Sequence, residues 1–338
     1  WQRHSTSELE AIAAAPLRAC SPPPNVAAHT RRVHHTRRHQ GVRIVRMLIS
    51  ITVTYHPDLA ALERQLVSLK DQVDQMLVVD NGSPAPLQNG LGKLCEKMGA
   101  TLHLLPTNTG IGHAQNLGIQ HALKQGAQWL LLFDQDSLAT PGMANTLRQA
   151  LQNCPDAAAA GAQAIDQRTG HSSFLQDHAV RPRAWVPPQH TPHDPVEVGF
   201  LISSGSLIRA SALDSPTPMR ADWFIDHIDS EWCLRMRAQG WKLLGVPNAH
   251  VLHRLGDEVT RVWLLRWRHV AHHSPLRDYY MFRNSILLVK QTYLPWRWRW
   301  FFVARLFQYA GFFLLFVPQR PRRARMMVQG IFDGLRNR

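Results

Sequence analysis

The chain predicts an α/β protein in which a mostly parallel β-sheet is flanked by helices, with amphipathic helices added at the C-terminus. Three observations carry this. From Met47 to Gly126, short runs rich in β-branched residues alternate with segments of helical period, the pattern of βαβ units. Trp129 to Phe133 is an unbroken apolar run, as in a strand buried on both faces. Polar turn sequences at Thr54–Asp58, Asp80–Ser83 and Asn108–Gly112 follow the expected strands. They therefore gather at the carboxyl edge of the sheet, where ligands of open α/β folds bind.

Residues 1–46 stand apart. Ser21-Pro22-Pro23-Pro24 and a His/Arg tract from His29 to Arg46 show no apolar period, which predicts disorder. This stretch reads as a tail, or as an extension foreign to a folded body beginning at Met47. The His-rich tract reads as solvated, with metal binding as the alternative. The start shows no apolar core of a secretory signal.

Met47–Thr54 predicts the first strand. Tyr55–Asp58 predicts a turn, and Leu59–Val73, with Leu62, Leu66 and Leu69 at helical spacing, a helix. Gln75–Val79 is the second strand, ended by the turn Asp80-Asn81-Gly82-Ser83-Pro84. Leu91–Met98 predicts a helix closed by Gly99, and Thr101–Leu105 the third strand. Gly110-Ile111-Gly112 opens a helix running from about His113 to Lys124. Backbone N–H groups there can approach an anion, although a tight turn asks for Gly in any case. The pattern GxGxxG is missing, which disfavours a dinucleotide.

The fourth strand ends in Asp134-Gln135-Asp136-Ser137. Carboxylate oxygens are hard ligands, suited to Mg²⁺ or Mn²⁺ that also holds substrate phosphates; a solvated turn is the alternative. Pro141–Asn153 predicts a helix, Ala157–Ala164 a strand, and residues 167–195 a loop over the sheet's edge. The small residues Ser203-Ser204-Gly205-Ser206 permit close approach of a ligand or of backbone. A second acidic cluster, Asp226, Asp229 and Glu231, runs into a helix containing Trp232 and Met236 and ending at Gly240. Acids in a first turn complement the helix dipole. Three carboxylates exceed that need, and one can serve as a general base. Trp241–Val246 predicts a short strand. His253, beyond it, is either structural or within reach of a metal or its phosphates.

The formal net charge of the 338-residue chain is +14. Residues 1–46 contribute +6, residues 254–338 contribute +12, and residues 47–253 carry −4. Basic ends point to nucleic acid or an anionic membrane. A nucleic-acid-binding protein would carry its basic residues over the folded body, and the acidic body argues against that class. The cysteines Cys20, Cys95, Cys154 and Cys233 form no CxxC, so a zinc site or disulfide framework is disfavoured and a reducing compartment fits.

Taken as an ordered set, Val53-Thr54-Tyr55-His56-Pro57, Val79-Asp80-Asn81-Gly82-Ser83, Asn108 to Asn116, Asp134-Gln135-Asp136-Ser137, Phe224 to Arg235 and His253-Arg254-Leu255-Gly256 resemble the family 2 glycosyltransferases. The likeness is nearest to bacterial rhamnosyltransferases of O-antigen and related polysaccharides, and it covers roughly Met47 to Lys290. It implies a GT-A fold, a divalent metal, a nucleotide-sugar donor such as dTDP-L-rhamnose, and inverting single displacement. Another UDP- or dTDP-sugar is the alternative donor. The resemblance places Thr54, Tyr55 and Asp80 at the base and ribose, with Asn108, Gly110 and Asn116 bordering the nucleotide and phosphates. It gives the metal to Asp136, with Asp134 nearby and His253 in reach, and makes Asp229 the catalytic base. Asp226 and Glu231 become rival bases, acceptor contacts or structural groups. The family pattern is broken at Leu213–Arg220, where Ser-Pro-Thr-Pro replaces a tighter turn and bears on acceptor choice.

In similar rhamnosyltransferases a run like Arg277-Asp278-Tyr279-Tyr280-Met281-Phe282-Arg283-Asn284 lies beside the active site. Arg277 and Arg283 would there pair with phosphates, with Tyr280 near the acceptor; an ordinary basic helix is the alternative. Pro295–Pro318 is aromatic and apolar but interrupted by Arg305 and Gln308. That composition suits a helix lying in the membrane interface better than one spanning it, or else a buried C-terminal helix. Arg320–Arg325 would add attraction to anionic lipid. The expected organisation is therefore an extension (1–46), a catalytic domain (47–260) and a basic, membrane-associating helical region (261–338). A peripheral enzyme at the cytoplasmic face of the bacterial inner membrane, acting on a lipid-linked saccharide, follows from the resemblance.

Overall fold

The computed structural model describes residues 47–166, 170–171, 174–178, 181–185, 194–213, 218–253, 258–263 and 267–337. Four expectations lie wholly or partly outside the described residues: the 1–46 tract, the 167–195 loop, most of the Ser-Pro-Thr-Pro departure, and the turn after His253.

The first half follows the βαβ order. Strands β1 (Leu48–Thr54), β2 (Gln75–Asp80), β3 (Thr101–Leu104) and β4 (Trp129–Asp134) alternate with helices α1 (Leu59–Lys70), α2 (Ala85–Met98) and α3 (Ile111–Lys124). Asp58 caps α1 by accepting hydrogen bonds from the Ala60 and Ala61 amides. Gly99, at φ 69°, closes α2. Helix α2 begins six residues before the expected Leu91, because proline in its first turn offsets the weak helix propensity of Gly90 and Gly92.

Helix α4 (Met143–Asn153), strand β5 (Ala157–Asp166), strand β6 (Ser206–Arg209), helix α5 (Ile228–Ala238) and strand β7 (Lys242–Leu252) complete the sheet. Its order is β7-β5-β6-β4-β1-β2-β3, with the short strand Val196–Glu197 outside β7. β1, β2, β3 and β4 pair in parallel, as do β5 and β7, whereas β6 runs antiparallel between β4 and β5. The sheet is thus mixed but mostly parallel. Because β6 reverses direction twice over, β5 and β7 point the same way as β4, and their carboxyl ends join those of β1 and β4. Strand β7 continues beyond the expected Val246 through a register shift between Val246 and His250. The bulge absorbs Pro247, which has no N–H to give to the ladder, and it carries His253 to the carboxyl edge.

Alternation along the strands divides the core into two layers. Leu48, Met76, Val78, Trp129 and Leu131 pack with Leu62, Leu66, Leu91 and Leu147 of α1, α2 and α4. Ile49, Ile51, Leu77, Val79, Leu130 and Leu132 pack with Ile119, Ile228 and Trp232 of α3 and α5. This second layer continues into helix α6 (Pro275–Val289) and helix α7 (Trp296–Phe316) through Leu287, Leu288, Leu294, Trp298 and Phe302. A hairpin of Glu258–Trp263 and Trp267–His272 crosses the expected boundary at residue 260.

Helix α7 is buried on one side and exposed on others. Trp298, Phe302, Leu306 and Phe313 are buried, while Trp296, Trp300, Phe307 and Leu315 on other faces are exposed. Among the described residues no helix is long and apolar enough to cross a membrane. Helix α8 (Arg320–Leu335) supplies a correction: Arg323 does not belong to a lipid-facing cluster. It is buried, pairs with buried Asp278 at 2.6 Å and lies over the Phe313 ring. Arg320, Arg322 and Arg325 remain exposed.

Candidate functional site

A cleft of about 440 Å³ opens along the carboxyl edge of the sheet. It is lined by Thr54 and Tyr55 at the end of β1, Asn81 after β2, Asn108 and Gly110 before α3, Asp134–Asp136 at the end of β4, and His253 after β7. The N-terminus of α5 adds Asp226 to Asp229, and α6 adds Arg277. Asp136 and Asp229, far apart in sequence, therefore face one space.

At the β4 end, His253 Nδ1 lies 3.9 Å from Asp134 Oδ2 and 4.0 Å from Asp136 Oδ1. Ser204 Oγ donates to Ser137 Oγ, which in turn stands 2.7 Å from His253 Nδ1. The serine pair thus fixes the imidazole beside the carboxylates. Burial raises the Asp134 pKa; His253 opposes the rise, Asp136 adds to it, and Arg277 opposes it. Two carboxylates and an imidazole match the donor preference of Mn²⁺ and, through the oxygens, of Mg²⁺. Among the described residues no three His, Cys, Asp or Glu side chains form a closed ligand group; Asp134, Asp136 and His253 lie side by side at the cleft.

Asp229 sits in the first turn of α5. The Ser203 amide donates to its Oδ2 at 3.3 Å and the Ser230 amide to its Oδ1 at 2.7 Å. Burial pushes its pKa up to about 6, against those amides and helped by the charge of Asp134. A carboxylate so placed is ionised at neutral pH yet basic enough to take a proton.

The segment before α5 is held in a sparsely populated backbone. Phe224, Asp226 and His227 have φ of 64°, 68° and 62°. Helix α6 holds it there. Asn284 Nδ2 donates to the carbonyls of Trp223, Ile225 and Asp226 at 2.9, 2.7 and 3.0 Å. Arg277 forks onto Asp226 with contacts of 2.6 and 3.3 Å. The Tyr280 ring stacks on Phe224 at 4.9 Å. On the other side, the Phe224 carbonyl accepts from the Ile111 amide at 2.7 Å. Gly110, at φ 90°, leaves no room for a side chain: a Cβ there would stand 2.7 Å from Phe224 Cα.

Several expected ligand contacts prove to be internal supports. Asp80 is fully buried outside the cleft lining, and accepts from Thr54 Oγ1, the Ser83 amide and hydroxyl, and Gln88 Nε2. Asn116 directs both ends of its amide to the Met219 backbone, at 2.8 and 2.9 Å, so it does not border the cleft. Glu231 is 1% exposed and bound by Arg235 and the Tyr293 hydroxyl, which removes it as a rival base. Asp226 is engaged by Arg277. Arg283 lies outside the cleft lining, with contacts to Asn284 and the Asp222 carbonyl.

Sequence reasoning missed Asn81, Gln115 and Gln135 as site residues. Asn81 ties the second loop to the third, donating to Asn108 Oδ1 and accepting from the Thr109 amide. Gln135, between the two aspartates, accepts from the Tyr55 amide and donates to its carbonyl at 2.8 and 3.2 Å, holding the exposed Tyr55 at the cleft mouth. The only available signal was their position within motifs already marked by their neighbours.

A sequence profile described as Glycosyl transferase family 2 matches residues 50–215. The chain is 31% identical over 251 residues to a dTDP-rhamnosyl transferase, RfbF, of Shigella flexneri, across 73% of this chain and 81% of that protein. Among solved structures it is similar to residues 1–349 of S. aureus TarS, with a TM-score of 0.52 and 13% identity over 85% of this chain and 80% of that one. It also resembles GalNAc-T7 with UDP, GalNAc and Mn²⁺, with a TM-score of 0.52 and 14% identity over 87% of this chain and 56% of that one. It spans 49% of the longer TarS chain. At these identities the structural likenesses show the fold alone, the GT-A arrangement.

Proposed function

The chain belongs to glycosyltransferase family 2, and on that premise we propose that it moves L-rhamnose from dTDP-L-rhamnose to a lipid-linked saccharide in bacterial cell-surface polysaccharide synthesis, with inversion at the anomeric carbon. The observation that carries this is the shared cleft: Asp134, Asp136 and His253 on one wall and Asp229 on another. The choice of donor rests on the similarity to the dTDP-rhamnosyl transferase.

In this reading Tyr55, Asn81 and Asn108 border the nucleotide, and Gly110 and the α3 N-terminus face its phosphates. Asp134, Asp136 and His253 would hold Mg²⁺ or Mn²⁺. Such an ion supplies a Lewis acid that neutralises charge on a departing diphosphate. Asp229 removes the proton from the acceptor hydroxyl as that oxygen bonds to the anomeric carbon and the bond from that carbon to phosphate oxygen breaks. The proton ends on Asp229, and the electron pair leaves with dTDP.

Peripheral attachment to the cytoplasmic face of the inner membrane is part of the proposal. Exposed Trp296, Trp300, Phe307 and Leu315 lie on the same pair of helices as exposed Arg320, Arg322 and Arg325. Aromatic side chains beside arginines match an anionic bilayer surface.

The test is a donor screen with purified protein, lipid-linked saccharide and Mg²⁺ or Mn²⁺. The proposal expects acceptor-dependent release of dTDP from dTDP-L-rhamnose, lost on chelation. Turnover only with a different nucleotide sugar would overturn the choice of donor.

A further inference from the structure

Gln115, in the second turn of α3, is buried with its amide oxygen unpaired. It is 3% exposed and lines the cleft. Its Nε2 donates to Ser203 Oγ at 3.2 Å, and its Oε1 has no partner among the described residues. A buried amide oxygen without a donor is costly to the fold, unless a ligand supplies the donor. The Ser203 amide donates to Asp229, so Gln115, Ser203 and Asp229 form one chain of contacts along the cleft wall.

We propose that Gln115 Oε1 accepts a hydrogen bond from one hydroxyl of the sugar being transferred and so sets donor specificity. This rests on the reading of the cleft as a nucleotide-sugar site. An amide oxygen carries no proton, so phosphate oxygens, themselves acceptors, do not fit it. A dTDP-sugar offers it only hydroxyls and the base N–H. The link through Ser203 to the catalytic base ties it to the sugar end, because the base works beside the anomeric carbon of that sugar.

The experiment compares wild type with Gln115→Leu, which keeps the bulk and removes the acceptor. Each is assayed with dTDP-L-rhamnose and with its 2-, 3- and 4-deoxy analogues; dTDP affinity and Tm are measured alongside. Wild type should lose about 10- to 100-fold in kcat/KM on one of the three analogues. The variant should show that loss with the full donor and no further loss on that analogue. Its dTDP affinity should stay within about twofold, and its Tm should hold or rise, because an unpaired buried acceptor has gone.

Unchanged discrimination by the variant overturns the proposal, whatever its Tm. Weakening of dTDP itself to the same extent also overturns it, by placing Gln115 at the nucleotide. Wild-type turnover of dTDP-L-rhamnose is the separate control on the donor. If screening finds another donor, the same comparison with deoxy forms of that sugar decides Gln115.

Discussion

Asp229 carries its charge at a cost that its work requires. Its pKa of about 6, set first by burial, lies above the ordinary carboxylate value near 4. The folded state therefore holds a proton that the unfolded state has released, and between about pH 4 and 6 this group's contribution to stability falls as pH rises. Above pH 6 it lowers stability by on the order of 2–3 kcal/mol. Catalysis needs the ionised form, so kcat/KM should climb through an acid limb near pH 6 and level above it. An enzyme whose acid limb stays near pH 4 would show that Asp229 is not the titrating base. The same scale shows where sequence reading stops. The two acidic clusters were legible because carboxylates beyond the needs of turns and caps stand out. Asp80, Asn116 and Glu231 were not told apart from ligand contacts, because spacing places a residue at a loop and does not say which way its side chain turns. Buried backbone amides and carbonyls need partners, and Asp80 and Asn116 serve them, whereas Glu231 answers the Arg235 guanidinium and the Tyr293 hydroxyl.

At the scale of elements, the βαβ half was legible from period and turn chemistry, and so were α4, β5, α5 and the start of β7 in the second half; strand β6 and the end of β7 were not. A four-residue antiparallel strand, β6, is too short to announce itself, yet it aligns β5 and β7 with the parallel half and so brings His253 to Asp134. A bulged strand through Pro247 likewise hides its own continuation. The family likeness put α6 beside the active site, but its arginines as phosphate ligands miss what the helix does. It braces the Phe224–His227 segment through Asn284, Arg277 and Tyr280. Asn284→Leu removes the NH2 group that serves the Trp223, Ile225 and Asp226 carbonyls, in a segment where Phe224, Asp226 and His227 hold positive φ. The expected result is a fall in kcat of at least about tenfold, with faster amide hydrogen exchange confined to residues 224–229 and donor affinity little changed. Wild-type exchange in that segment would mean that α6 is not what holds it.

Across the whole molecule, charge and apolar exposure are segregated. Residues 47–253 are net acidic, and the basic excess lies in the ends. The composition of α7 announced an amphipathic helix, but sequence alone did not show that its Trp298 and Phe302 complete the core under the catalytic sheet. With one side anchored, the helix presents Trp296, Trp300 and Phe307 outward without giving up the fold. Replacing these three by Ser should abolish co-sedimentation with anionic vesicles while Tm and turnover of a detergent-soluble acceptor stay near wild type. Equal vesicle binding by the variant would exclude this face as the membrane contact.

The most direct measurement is Asp229→Asn, assayed for rhamnosyl transfer and for dTDP-L-rhamnose affinity in the same preparation. The isosteric amide keeps the cleft and loses the base. Transfer should drop about 10³-fold with donor affinity within about threefold of wild type. A variant that transfers at the wild-type rate would contradict the account.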